Sequence, residues 1–213
     1  MRLYCVSGLG ADERVFQFLK LNVEIVPIHW IGIKVDESIQ SYTKRLTSQI
    51  DQTEPFGILG VSFGGLIAVE LSKILSPICT IVISSVINKT EIPFFYKLIG
   101  RIKVVNILPT FMFKAPMFIM NYVFGAKNKI LLKSILDDTN YKFTKWALNE
   151  VFNWQNVNEV QNLLKINGEN DKLFKPSIDS KVIEKGAHFM IVDQADKVSF
   201  EVNQFLTQFI QHT

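Results

Sequence analysis

Gly60-Val61-Ser62-Phe63-Gly64-Gly65 sets a serine between glycines two positions to either side. A serine that attacks a carbonyl must project from a tight strand-to-helix turn, and small residues at those positions let neighbouring backbone pass without a clash. The N-terminus of the following helix also favours developing negative charge. The bland alternative is a glycine-rich turn whose serine only caps the helix. A serine hydroxyl needs a base to take its proton, and the chain has three histidines. His212 is the penultimate residue, and His29 precedes the serine in EIVPIHW. His188, in Lys185-Gly186-Ala187-His188-Phe189, follows a strand-like run and is the expected base. An acid must orient that base and stabilise its cation. Asp171, in Gly168-Glu169-Asn170-Asp171-Lys172, is the expected acid, with Glu169 the alternative. The oxyanion needs backbone donors. The amide of Phe63 and one from Ser7-Gly8-Leu9-Gly10, that of Leu9, are the expected pair.

These residues need a frame. Short apolar, β-branched runs predict strands at 2–7, 24–30, 56–61, 78–85, 163–167 and 181–184. Pro27 lacks a donor, which places the second at an edge. Between them, spacing predicts a short helix over 11–19 with Asp12 near its start, helices over 38–50 (Ser38 capping) and 64–75, and a final helix over 197–210. Strands without polar alternation, separated by helices, indicate a six-stranded parallel sheet covered on both faces. Residues 88–150 interrupt that rhythm with Pro93, Pro109, Pro116 and eight aromatics between Phe94 and Phe124, and 128–152 has helical spacing. This stretch is expected to be a helical lid over a pocket at the strands' carboxyl ends. The pocket residues expected from it are Phe111, Phe113, Phe118 and Tyr122.

At 213 residues with 48% apolar and 20% charged residues, the chain has the composition of one globular domain and not of a disordered chain. Cys5 and Cys79 have no metal spacing and are too few for a disulfide framework, which points to a reducing compartment. No basic leader precedes a long apolar stretch, and the uncharged run 74–88 holds 15 residues with Pro77 inside, short of a membrane span. The chain is therefore expected to be soluble and cytoplasmic, without stable membrane insertion. Its net charge of +3 is unevenly placed: residues 88–150 hold ten Lys or Arg against four acids (+6), and the rest hold 13 against 16 (−3). The basic residues sit among aliphatics with no nucleic-acid motif. Gly8-x-Gly10 begins a dinucleotide fingerprint, but Glu13 occupies its third glycine position. With G-x-x-x-x-G-K-[ST], H-E-x-x-H and C-x-x-C also missing, no cofactor or metal is expected.

SGLGADERVF at 7–16, GVSFGG at 60–65, NGENDKLF at 167–174 and GAHFM at 186–190 together resemble the α/β-hydrolase superfamily, in particular its small, capped, uncharacterised bacterial hydrolases. The Ser…Asp…His order is the one described for that arrangement. The resemblance spans nearly the whole chain. It implies a Ser62–Asp171–His188 triad, an oxyanion hole from Leu9 and Phe63, and a cap after the strand at 78–85. Two features depart from the pattern. Ser7 stands where many members have histidine, and the first two antiparallel strands of the parent fold are expected to be absent. The implied activity is hydrolysis of an ester or thioester of a small or medium apolar acyl group through an acyl-enzyme. A lyase or C–C bond hydrolase on the same scaffold, and a non-catalytic ligand-binding protein, are the alternatives.

Overall fold

The structure is a computed structural model and describes residues 1–102, 105, 108–109 and 116–210. Six strands, β1 (Arg2–Val6), β2 (Glu24–Ile28), β3 (Phe56–Val61), β4 (Cys79–Ile83), β5 (Leu163–Gly168) and β6 (Lys181–Ile183), form one sheet in the order β2-β1-β3-β4-β5-β6. Every pairing is parallel. Every residue of β3 and β4 is buried, which explains their lack of polar alternation. β2 is an edge strand, as Pro27 requires. It ends two residues short of the expected span because the Gln49 side chain takes over the pairing. Gln49 accepts from the His29 amide and donates to the His29 carbonyl, each at 2.9 Å.

Two layers cover the sheet. On one face α1 (Ile39–Leu46) and α2 (Phe63–Leu75) bury Ile39, Tyr42, Leu46, Leu66 and Ile67. On the other, a 3₁₀ turn at Glu13–Phe18 packs with α7 (Met190–Asp193) and α8 (Ala195–Ile210) through Phe16, Met190, Val198, Val202 and Leu206. The segment expected as a helix over 11–19 is thus 3₁₀. Asp12 caps it by accepting from the Arg14 amide at 3.1 Å. Ser38 caps α1, whose last turn tightens to 3₁₀ at Thr47–Gln49.

Between β4 and β5 lie α3 (Phe94–Arg101), α4 (Met117–Phe124), α5 (Lys129–Asp137) and α6 (Tyr141–Asn153). The helical spacing over 128–152 is divided in two because the Asn140 carboxamide accepts from the Lys142 and Phe143 amides and restarts the chain as a new helix. Both stems of this segment are pinned by carboxylates. Glu91 pairs with Lys165 of β5 at 2.7 Å, and that lysine, buried in the sheet, also donates to Ser177 Oγ at 2.9 Å. At the other stem the Trp154 indole donates to buried Glu70 of α2 at 2.8 Å, which Lys73 neutralises at 2.7 Å. A buried charge survives only when paired and hydrogen-bonded. Each pair therefore holds a stem to the body.

Candidate active site

Ser62 directly follows β3 and opens α2 with φ 54° and ψ −122°. This is a left-handed backbone that a serine adopts only where its surroundings compel it. The surroundings are tight. A Cβ on Gly60 would strike the Gly64 carbonyl, and one on Gly64 would strike the carbonyls of Val6 and Ser7. The G-x-S-x-G pattern is thus a packing requirement of the β3–α2 turn against β1. The Ser62 amide donates to the Ile83 carbonyl at 2.9 Å, and the Ser62 carbonyl accepts from Ser85 Oγ at 2.6 Å. Ser85, which the sequence reading did not single out, helps to fix the turn.

Ser62, His188 and Asp171 follow β3, β6 and β5, all on the carboxyl rim of the sheet. His188 Nε2 lies 2.9 Å from Ser62 Oγ, and His188 Nδ1 lies 2.9 Å from Asp171 Oδ2. An ionised carboxylate only accepts, so Nδ1 carries its hydrogen toward Asp171 and Nε2 is left to accept the Ser62 hydroxyl. The second oxygen, Asp171 Oδ1, accepts from the amides of Leu173 at 2.8 Å and Phe174 at 3.0 Å. Burial by itself would raise the Asp171 carboxyl. The His188 charge and hydrogen bond and the two amides outweigh it and hold the carboxyl below the ordinary aspartate range. Phe124 and Phe174 enclose the His188 ring, with centroids at 5.2 and 6.0 Å. Glu169 points elsewhere, accepting from the Lys185 amide at 2.8 Å. His29 is exposed beyond the edge strand, and His212 lies outside the described residues.

The crevice at the top of the sheet falls between β1 and β3, where the strand order reverses, and the loop after β1 faces Ser62 across it. Phe63 is the first residue of α2, so its amide has no intrahelical partner. Leu9 sits in a turn closed by the Ala11 amide on the Gly8 carbonyl at 3.0 Å. Ser7 ties that loop down in its own way. Its hydroxyl donates to the Ala11 carbonyl at 2.8 Å and accepts from the Trp30 indole at 2.9 Å. Trp30 in turn stacks on Phe63 at 5.7 Å. Trp30 thus braces both sides of the crevice, a role that its position at the end of an edge strand did not announce.

Above Ser62 lies a cavity of about 640 Å³. Leu9, Ser62 and Phe63 form its floor, and Tyr96, Met120, Phe124, Leu136, Leu148 and Phe152 contribute to its walls. The walls come from all four described helices between β4 and β5. Of the four expected pocket residues, Phe118 and Tyr122 stand on the outer side of α4. Successive turns of that helix send Met117, Met120, Val123 and Phe124 to the cavity instead. Phe111 and Phe113 lie outside the described residues.

The parallel sheet, the strained serine turn after β3 and the rim positions of the acid and histidine make this the α/β-hydrolase fold. Comparison with solved structures agrees. A carboxylesterase from Nitrososphaera gargenis is similar at 12% identity, with 100% of this chain and 92% of that chain covered and a TM-score of 0.74. A thermophilic esterase from Thermogutta terrifontis is similar at 13% identity over 98% and 90%, TM-score 0.73. A lipase-esterase related protein from Clostridium acetobutylicum is similar at 14% identity over 96% and 93%, TM-score 0.69. No protein-family model and no curated protein matches the sequence.

Proposed function

We propose that this chain is a serine hydrolase that cleaves an ester or thioester of a small or medium apolar acyl group through an acyl-enzyme. The observation that carries the reading is the unbroken hydrogen-bond chain Ser62–His188–Asp171 at the floor of a largely apolar cavity. Ser62 Oγ attacks the acyl carbonyl while His188 Nε2 takes its proton. The tetrahedral oxyanion is held by the amides of Leu9 and Phe63. His188 then returns the proton to the leaving alcohol or thiol, and Asp171 stabilises the cation in between. Water repeats the sequence in reverse and frees the acid. In this reading residues 88–150 are a cap, whose inward side chains hold the acyl group. The structural neighbours described as esterases support the reading, as does a site filled at each position by a competent residue. Buried, unpaired Cys5 and Cys79 fit a cytoplasmic setting.

Purified protein should turn over short p-nitrophenyl esters and be labelled at Ser62 by a fluorophosphonate. Ser62→Ala should lose both the label and at least about 10³-fold in kcat, because triad members act as a unit. Wild-type turnover by folded Ser62→Ala would overturn the assignment.

A further inference from the structure

Helix α4, MFIMNYVF, carries Asn121 as its one polar residue, and none of its residues is buried. A helix that is apolar on all sides belongs inside a core or against a membrane. Its inner side is accounted for by the cavity. Its outer side is not: Phe118 is 73% exposed with Ile119 beside it, and Tyr122, 69% exposed, carries the Lys172 ammonium 3.1 Å from its ring centroid. Helix α3 repeats the arrangement. Tyr96 lines the cavity, while Phe94 (74% exposed), Phe95, Leu98 and Ile102 face outward. The two helices that wall one cavity thus each carry exposed apolar side chains on their outer sides.

The charge on these helices is mainly positive, with the Asp193 carboxylate, which accepts from the Lys127 and Asn128 amides at 2.7 and 3.0 Å, as a neighbouring acid. Lys97 and Arg101 lie on α3, and Lys127 and Lys129 follow α4. The acids of residues 88–150 offset none of these. Glu91 is taken by Lys165, Asp137 by Lys133 and Asp138 by Arg14, and Glu150 is turned to the Ile39 amide. Exposed aromatic rings flanked by unneutralised cations match the headgroup region of an anionic bilayer, where rings settle among headgroups and cations sit over anionic lipid. A second copy is the poorer fit, since a two-fold contact would bring together two patches of the same positive sign. No described helix is long and apolar enough to cross a membrane, so the contact is peripheral.

We propose that the outer faces of α3 and α4 dock this chain onto the surface of an anionic phospholipid bilayer. Docking does not rest on the hydrolase reading. Where that reading holds, it sets the cavity wall against the lipid and brings membrane-borne acyl esters to Ser62.

Vesicle flotation of the purified chain tests this. At low salt it should float with vesicles of phosphatidylcholine and phosphatidylglycerol, stay behind with phosphatidylcholine alone, and be released as salt rises. Phe94→Ser/Phe95→Ser and Phe118→Ser should each weaken partition about tenfold. Lys97→Glu/Arg101→Glu should weaken it at least about 25-fold, at about fivefold for each cation lost. Unchanged thermal unfolding midpoints show that the variants fold. Ser62→Ala should float as the wild type does, so failure of docking and failure of the hydrolase reading are told apart. Three results would overturn the proposal. The first is a folded wild type that does not float with anionic vesicles, and the second is aromatic variants that float unchanged. The third is a face taken by protein: a dimer that Phe118→Ser dissociates, or an acidic carrier protein bound in place of vesicles.

Discussion

The proposed nucleophile is held by backbone geometry and the proposed base by a buried carboxylate. Asp171 is fully buried, yet its hydrogen bonds keep it ionised below the ordinary aspartate range. The sign of the pH effect follows. Between the native and unfolded pKa values the unfolded chain binds more protons. The stabilisation is therefore complete above about pH 4 and is lost as pH falls through the native value. Asp171→Asn should lower kcat by about 10³–10⁴-fold, because a carboxamide facing Nδ1 no longer selects the tautomer that leaves Nε2 free to accept. Its thermal midpoint should also fall less on acidification than that of the wild type, as scanning calorimetry from pH 6 to pH 3 would read. This acid was visible in the sequence as one of two carboxylates in the turn after LLKIN. What separates Asp171 from Glu169 is that Asp171 meets His188 across 17 positions while Glu169 meets the Lys185 amide. Spacing alone could not make that choice.

At the scale of elements, the helices between β4 and β5 are tied to the body at their stems and again over the loop after β1. The Arg14 guanidinium is shared between Asp12 of its own turn, at 2.6 Å, and Asp138 at 2.7 Å, and it donates to Ser134 Oγ at 2.8 Å. Thr139 hydrogen-bonds the Gly10 carbonyl at 3.2 Å. The turn between α5 and α6 is thereby fixed against the proposed oxyanion loop. Arg14→Ala should cost about 1 kcal/mol in urea unfolding, since the pairs are partly solvated. In steady-state kinetics on a medium-chain ester it should raise KM more than it lowers kcat, because it frees Leu136 and Thr139 at the cavity wall and leaves the triad in place. The helices themselves follow from local signals, with Ser38, Asn128 and Asn140 accepting from amides at their starts. Arg14–Asp138 spans 124 positions, and no periodicity in the sequence encodes it.

For the whole molecule the central feature is the cavity above Ser62, which under the proposed activity sets substrate size. It lies over the carboxyl rim of the sheet, with its floor from the loops after β1 and β3 and its walls from helices as far along the chain as Phe152. Leu148 of α6 reaches it from the wall. Leu148→Trp should reduce kcat/KM for medium-chain esters by roughly tenfold or more while leaving acetate esters nearly unchanged, since a filled pocket discriminates by methylene groups. A chain-length series of p-nitrophenyl esters reads this directly. The charge asymmetry belongs to the same scale. The basic segment walls the cavity, so one stretch of chain both lines the site, Lys133 included, and carries the excess of positive charge.

The sequence by itself determined the strands, their parallel sheet and the serine turn, because these depend on local sterics and on burial patterns that repeat within a few residues. Gly60 and Gly64 could be read as requirements of the turn before any neighbour was known. The tertiary structure decided what depends on distant partners. It joined Ser7 to Trp30, Ser85 to Ser62, Lys165 to Glu91 and Glu70 to Trp154. It also turned Met120 inward and Phe118 outward on one helix that is apolar but for Asn121. A sequence without polar alternation cannot say which side of such a helix faces the cavity. Only the packing of the other elements decides it.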